Sequence, residues 1–193
     1  MNDESRQSMG VRPEQWFRRA DAVTRDAFRT APWDWLDESA SLTERVRRVC
    51  AAAFELRVLA ESWRPLAASD AARMACRPVQ RALVREVALV CGATPFVYAL
   101  SVMPESTVRT HPWLAELGQR PLGELLFDVA DLSREPFEVA RLGRGDALFA
   151  AATHHLGGLP EPLWARRSVV RLSAVPLLIN ECFLPAVLAC PST

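Results

Sequence analysis

Residues 166–185 read RRSVVRLSAVPLLINECFLP, a pattern typical of a β-hairpin. The run 168–172 is rich in Val, and the run 176–184 is apolar apart from Asn180 and Glu181. The link between the two runs is short enough for a tight turn. The stretch therefore predicts a hairpin of two antiparallel strands.

Glu181 is an acid on an apolar face of the second predicted strand. Because side chains alternate along a strand, it shares its side with Leu177, Ile179 and Phe183. An ionised carboxylate in that setting is costly without a partner, so it either pairs with a cation or holds a proton. Both outcomes suit a catalytic acid or a ligand-binding carboxylate. The alternative is a Glu at a strand end that meets solvent or a structural Arg.

The composition indicates one folded domain. The chain has 193 residues, half of them hydrophobic, which suits a sizeable core. Lys plus Arg and Asp plus Glu both number 23, and this balance argues against a general nucleic-acid binder. The polar start MNDESRQSMG lacks the apolar region of a secretory signal. The uncharged run 87–104 is broken by Gly92 and Pro95, so it predicts a strand hairpin and no membrane span.

No motif of the sequence predicts a metal or cofactor. The adjacent pair His154 and His155 lacks a nearby Cys or a suitably spaced acid, and no glycine-rich phosphate loop is present. The cysteines are odd in number, scattered and without a C-x-x-C pair, which predicts reduced, mostly buried thiols of a cytoplasmic protein. They are Cys50, Cys76, Cys91, Cys182 and Cys190.

The remaining pattern predicts an α+β fold. Residues 1–12 are expected to form a disordered tail, and 13–193 a single domain. The predicted helices cover 13–28, 42 to about 53 behind a capping box at Ser41 and Glu44, 112–117 and 122–127, and 33–36 is a short turn or helix. The predicted strands outside the opening hairpin are 54–63, 81–90, 96–102 and 137–142; 147–155 is a strand or a helical turn, and 65–78 a short helix or a flap-like excursion. Because the strands follow one another mostly as hairpins, we expect an antiparallel sheet with helices packed on one side.

Arg85 is the second charged residue on an apolar face. It shares a predicted strand face with Leu83 and Val87. The opposite face is the more polar one because it carries Glu86. Arg85 is therefore expected to point inward, where an Arg needs an anion. Two interpretations remain: a structural ion pair with Glu181, or a pocket in which Arg85 holds the carboxylate and Glu181 the hydroxyl of an aromatic or cyclic acid.

Four segments of the chain form a combined signature. They are DWL at 34–36 with SLT at 41–43, VREV at 84–87, RPLGELLF at 120–127, and the opening stretch at 166–185. Together they resemble the bacterial chorismate pyruvate-lyase family over roughly 33–188. The last two segments are the most specific.

The resemblance implies a cofactor-independent carbon–oxygen lyase that needs no metal. Such an enzyme converts chorismate into 4-hydroxybenzoate and pyruvate, the first committed step of ubiquinone biosynthesis, inside a site enclosed by flap-like helical segments. The family's substrate-binding residues fall on Leu42, Arg85, Leu122 and Glu181. Arg85 and Glu181 are the expected catalytic pair, with Arg85 on the ring carboxylate and Glu181 near the ring hydroxyl. We expect a cytoplasmic monomer whose partners are chorismate and 4-hydroxybenzoate, with neither nucleic acid nor stable membrane insertion.

The sequence departs from the family at two positions. Leu42 stands where the family often has Met, and Leu100 replaces a basic residue, which puts a second anion contact there in doubt. The alternative function is a non-catalytic aromatic-acid-binding module, or an effector-sensing domain of related fold. The short segment before the matching region argues against a regulator with its own winged-helix reader.

Overall fold

An antiparallel sheet organises the computed structural model. The structure describes residues 15–19, 21–77, 81–126, 129 and 131–190. The strands of the described part are β1 (Phe17–Arg18), β2 (Phe54–Pro65), β3 (Arg81–Cys91), β4 (Thr94–Pro104), β5 (Leu132–Arg134), β6 (Glu138–Leu142), β7 (Leu163–Leu172) and β8 (Val175–Phe183). They lie in the order β1-β6-β7-β8-β4-β3-β2, and β5 also pairs with β7. The predicted α+β fold with an antiparallel sheet is confirmed.

The hairpin predicted within residues 166–185 forms β7 and β8 in the middle of this sheet. Their register runs from Trp164 opposite Phe183 to Leu172 opposite Val175. Ser173 and Ala174, at φ of 47° and 71°, make the two-residue turn between the strands. Positive φ at both turn residues matches the right-handed twist of the flanking strands. β8 therefore begins at Val175, one residue before the predicted run 176–184.

The helices are short and lie between the strands. They are α1 (Ala22–Ala27), α2 (Trp33–Leu36), α3 (Leu42–Val49), α4 (Ala68–Met74), α5 (Glu105–Thr110), a 3₁₀ helix (Pro112–Ala115), α6 (Leu122–Leu126), α7 (Ala147–Leu156) and α8 (Pro185–Leu188). Helix α4 lies within the stretch 65–78 and α7 covers 147–155, the two segments that the sequence left open, and α3 ends earlier than predicted. Within the described ranges, every helix is too short or too polar to cross a bilayer.

Helices cover both faces of the sheet. On the face that carries Glu181, α2 and α3 pack against Leu89 and Phe183, and α6 packs against Leu83 and Ile179. On the opposite face, α7 packs against Cys182 and α4 packs against other apolar residues of the strands. The sequence analysis placed the helices on one side, and α4 and α7 extend the cover to the second.

The predicted helix over 13–28 is wrong in its described first half. Phe17 pairs with Val139 of β6, and α1 begins only at Ala22. The Phe17 ring meets the Phe28 ring edge-on at 5.3 Å, so a tertiary contact and a strand pairing replace local helical propensity there. The tail predicted over 1–12 lies outside the described residues.

The prediction that all five cysteines are reduced is also wrong. Cys50 and Cys91 form a disulfide between Cα atoms 5.5 Å apart. Cys50 ends α3, and Cys91 ends β3 opposite Phe54 of β2, so the fold brings together two thiols that are 41 positions apart in sequence. Cys182 is buried, whereas Cys76 and Cys190 are half-buried.

Candidate active site

A cavity lies between one face of the sheet and the helices α3 and α6, which we call the covering helices. Its floor comes from β2, β3, β4, β7 and β8, and the starts of the covering helices close it from above. The four residues predicted to bind the ligand all line it; they are Leu42, Arg85, Leu122 and Glu181. Four different elements therefore deliver the predicted residues to one place.

The centre of the cavity floor consists of two adjacent rows of register partners that cross the sheet from β3 to β7. Neighbouring strands lie about 4.8 Å apart, so the ends of each row are about 14 Å apart. The first row is Arg85, Ser101, Ile179 and Ser168, and the second is Val87, Ala99, Glu181 and Arg166. Charged groups thus stand toward both ends of the floor, with small and apolar side chains between them.

Arg85 is held in place at one end of the first row. It is 3% exposed, and its two terminal nitrogens donate to Glu61 Oε2 at 2.7 Å and to the Gly118 carbonyl at 2.6 Å. Glu61 is its direct partner across β2 and β3. A guanidinium has five N–H donors, so three remain for a ligand carboxylate.

Glu181 pairs with a cation, one of the two outcomes predicted for it. Arg166, which is 1% exposed, donates from Nε to Glu181 Oε2 at 2.6 Å. Its Nη1 reaches the Glu38 carbonyl at 2.5 Å and two further carbonyls of α2. The Phe137 ring lies 4.3 Å from its guanidinium carbon. Arg166 is therefore locked, and it orients the carboxylate that faces the cavity.

Arg134 is a third cation of the lining. It lies on β5, and its Nη1 donates to Ser168 Oγ at 2.9 Å. Burial lowers the pKa of its guanidinium; the charge of Arg166 acts in the same direction, and the charge of Glu181 opposes them. Two lining cations, Arg85 and Arg166, have carboxylate partners, whereas in the part of the chain described no carboxylate forms an ion pair with Arg134.

The covering helices are joined to each other above the sheet. Ser41 caps α3 by accepting from the Glu44 backbone N–H at 3.3 Å, as predicted. The Glu44 side chain turns instead to Arg47 on the next turn. Arg47 also pairs at 2.5 Å with Glu124 of α6. One arginine therefore links both covering helices.

The lining combines cations, one carboxylate and apolar walls. Such a cavity suits a small anionic ring with hydroxyl substituents. Among the described residues no group of three or more His, Cys, Asp or Glu is arranged for a metal ion.

The predicted alternative of an Arg85–Glu181 ion pair is not what the structure shows. Each of the two charges has its own partner, Glu61 and Arg166 respectively, and both side chains still line the cavity. The substitution at Leu100 does not alter the cavity, because its side chain packs on the opposite face of the sheet.

Sequence analysis missed Arg166 and Arg134. The signal for Arg166 was present: a two-residue turn at 173–174 places it directly opposite Glu181. Arg134 gave no comparable signal, because β5 has three residues and its position depends on pairing with β7.

The face called polar in the sequence analysis contains a second buried charge cluster. Glu86 is 2% exposed and accepts from Tyr98 Oη at 2.6 Å and Arg64 at 2.8 Å, and His155 Nε2 lies 3.0 Å from it. Helix α7 brings His155 over this face, so Glu86 is covered and not solvated.

Comparison with known proteins was made for both sequence and fold. A family model described as chorismate lyase matches residues 15–189. A probable chorismate pyruvate-lyase of Azoarcus sp. (strain BH72) is 39% identical over 92% of this chain and 94% of its own length. The protein of the same description from Aromatoleum aromaticum is 38% identical over 95% of this chain and all of its own length.

Solved structures show the same fold in more distant proteins. The effector domain of PhnF from Mycobacterium smegmatis matches 76% of this chain and 90% of that domain with a TM-score of 0.54 at 12% identity. The C-terminal domain of the histidine utilization repressor from Pseudomonas syringae pv. tomato matches 69% of this chain and 93% of that domain, with a TM-score of 0.53 at 14% identity. At these identities the likeness concerns the fold alone.

Proposed function

The chain belongs to the chorismate lyase family, and on that premise we propose that it converts chorismate into 4-hydroxybenzoate and pyruvate in the covered cavity. The observation that carries the proposal is the shared cavity of Arg85 and Glu181, each fixed by its own partner. Both products derive from one substrate, so the reaction is a lyase reaction that balances without a second reactant.

Arg85 holds the ring carboxylate of the substrate in this proposal. Its remaining N–H donors form charge-assisted hydrogen bonds, which are about twice as strong as neutral ones. Glu61 and Gly118 fix the guanidinium before the ligand arrives, which reduces the ordering cost of binding. The ring is then held in one orientation, with Leu42 and Leu122 packing against it from the covering helices.

In this proposal Glu181 lies near C3 and C4 of the ring, where bonds break during the reaction. The C3–O bond to the enolpyruvyl group breaks, and the C4 proton leaves as the ring becomes aromatic. The enolpyruvate gains a proton and becomes pyruvate. Glu181 accepts a hydrogen bond from the C4 hydroxyl and assists this proton movement, while Arg166 holds the carboxylate in place. Aromatisation supplies the driving force.

The apolar walls and the cover exclude water from the reacting atoms. Tight enclosure also slows product release, so 4-hydroxybenzoate is expected to inhibit turnover. Lack of inhibition at product concentrations well above those of the substrate would contradict this part of the proposal.

We further propose that the protein works as a monomer, as expected from the sequence. Sedimentation at working concentration tests this proposal, and a stable dimer would contradict it. The cytoplasmic location remains a prediction from the sequence.

The test of function is incubation of purified protein with chorismate in a chelating buffer. Chromatography is expected to show equimolar 4-hydroxybenzoate and pyruvate, formed well above spontaneous decay. Binding of 4-hydroxybenzoate without turnover would instead identify a non-catalytic aromatic-acid binder. Absence of both would leave only the fold.

A further inference from the structure

The three arginines that line the cavity differ in whether a carboxylate pairs with them. Arg85 is paired with Glu61 and Arg166 with Glu181, whereas among described residues no carboxylate pairs with Arg134. Arg134 donates to the Ser168 hydroxyl at 2.9 Å and lies 5.4 Å from the centroid of the Phe137 ring, and both of these partners are electrically neutral. Burial of a cation without an anionic partner in partly apolar surroundings costs free energy.

Arg85 and Arg134 lie toward opposite ends of the cavity floor. Ser168, which holds Arg134, is the last member of the row that begins at Arg85. Ser101 and Ile179 separate the two ends, a span of about 14 Å between the terminal Cα atoms. Both arginines line the cavity, so a small ligand with an anion at each end can meet one arginine with each anion.

We propose that Arg134 binds the second carboxylate of the substrate, the one on the enolpyruvyl group, while Arg85 binds the ring carboxylate. This inference rests on the proposed function. It gives the two arginines separate tasks: Arg85 recognises both the substrate and its aromatic product, and Arg134 recognises only molecules that carry the side-chain carboxylate.

The charge of the lining agrees with this assignment. Glu61 balances the charge of Arg85 and Glu181 that of Arg166, so Arg134 is the lining cation without a carboxylate partner among the described residues, and the second carboxylate of a dicarboxylate would match it. The aromatic product has one carboxylate and leaves Arg134 unmatched after pyruvate departs. Burial lowers the pKa of Arg134, and a bound carboxylate would oppose that effect.

The experiment compares Arg134→Gln with the wild-type protein for two ligands. We expect the KM for chorismate to rise about tenfold or more, because a charge-assisted contact is lost. The Kd of 4-hydroxybenzoate, measured by calorimetry, is expected to stay within about twofold on the same argument. Arg134→Lys keeps the charge without the planar fork, so its KM for chorismate falls between those of the wild type and the glutamine variant.

Arg141→Gln is the matched control, since Arg141 is an exposed strand arginine near the Trp164 ring and outside the cavity lining. Its KM and Kd are expected to match the wild type. Equal weakening of both ligands in Arg134→Gln, or no change in either, would overturn the assignment. If the glutamine variant fails to fold, the same comparison is made with Arg134→Lys.

Failure of the proposed function is distinguishable from failure of this inference. If the wild-type protein does not turn over chorismate, the proposed lyase activity is refuted. Calorimetry can then still compare the affinity for unreacted chorismate, a dicarboxylate, with that for 4-hydroxybenzoate, a monocarboxylate. Loss of the dicarboxylate preference in Arg134→Gln would support the second carboxylate site even then. Retention of that preference would refute it.

Discussion

Arg85 and Glu181 face the same cavity and do not depend on each other for their positions. Glu61 and Arg166 hold them separately. The two can therefore be altered one at a time, with the other left anchored. Their roles in binding and turnover are separable by mutation for that reason.

Replacing Arg85 by Ala is expected to weaken binding more than turnover. The loss of charge-assisted hydrogen bonds to a carboxylate corresponds to about 1.5–3 kcal/mol, or about 10- to 100-fold in KM. Glu61 stays accessible to water after the change, with 28% of its side chain exposed, so folding is retained. Steady-state kinetics and calorimetry with 4-hydroxybenzoate measure the effect. An unchanged Kd for 4-hydroxybenzoate would remove Arg85 from the carboxylate site.

Replacing Glu181 by Gln is expected to lower kcat by about 100-fold or more, the usual scale for a group that assists proton transfer. Gln preserves the shape and still accepts from Arg166, so it disturbs the buried arginine less than Ala does. Glu55→Gln, an exposed carboxylate on β2, is the matched control and should keep wild-type kinetics. If kcat of Glu181→Gln equals that of the wild type, Glu181 has no part in the chemistry.

The sequence pattern identified those cavity residues that are charged and lie on an otherwise apolar face of a strand. Arg85 and Glu181 were found in this way because alternation along a strand is a local property. Glu86 was assigned to the polar face because the helix that covers it, α7, lies about 60 residues further along the chain. Its burial depends on a tertiary contact that no local pattern contains.

At the scale of elements, the hairpin of β7 and β8 follows from the local sequence pattern, but the two residues of its turn are not the types that favour the turn conformation. Ser173 and Ala174 both adopt positive φ, a conformation that costs L-residues other than Asn and Gly roughly 1–2 kcal/mol. The strands impose this conformation because only such a turn matches their twist.

The double variant Ser173→Asn with Ala174→Gly is therefore expected to stabilise the protein by about 1 kcal/mol. Thermal or urea unfolding measures the gain. Ala93→Gly in the turn between β3 and β4 is the matched control: Ala93 is not at positive φ, so the replacement brings no gain. Equal effects at both turns would show that relief of the turn conformation is not the cause.

The elements that sequence pattern missed are those that need a distant partner. β1 is two residues long and exists by pairing with β6, and β5 is three residues long and pairs with β7. The disulfide of Cys50 with Cys91 likewise depends on the packing of α3 beside β3. The long strands β2, β3 and β4 were predicted, because their apolar runs are sufficient evidence by themselves.

At the scale of the whole molecule, the buried Glu86 cluster makes folding sensitive to acid. Burial raises the pKa of the Glu86 carboxyl, but hydrogen bonds from Tyr98 and Arg64, together with the charges of Arg64 and His155, outweigh burial and hold the pKa below its ordinary value of 4.5. A depressed folded-state pKa adds stability above the ordinary pKa, and that stability is lost as the pH falls through the folded-state value.

Glu86→Gln is accordingly expected to flatten the fall in unfolding free energy as the pH drops below the ordinary carboxyl pKa of 4.5. Urea unfolding at a series of pH values measures the slope, and Glu55→Gln serves again as the exposed control. Parallel pH profiles for the wild type and Glu86→Gln would show that other carboxyl groups cause the acid sensitivity.

The link between the covering helices bears on how fast ligands exchange. Arg47 and Glu124 are about one-third exposed, so dissolved ions screen their attraction. If a ligand passes between α3 and α6, salt shortens the residence time of the product without touching the chemical step. On the proposal that product release is slow, a higher ionic strength is then expected to raise the rate of turnover.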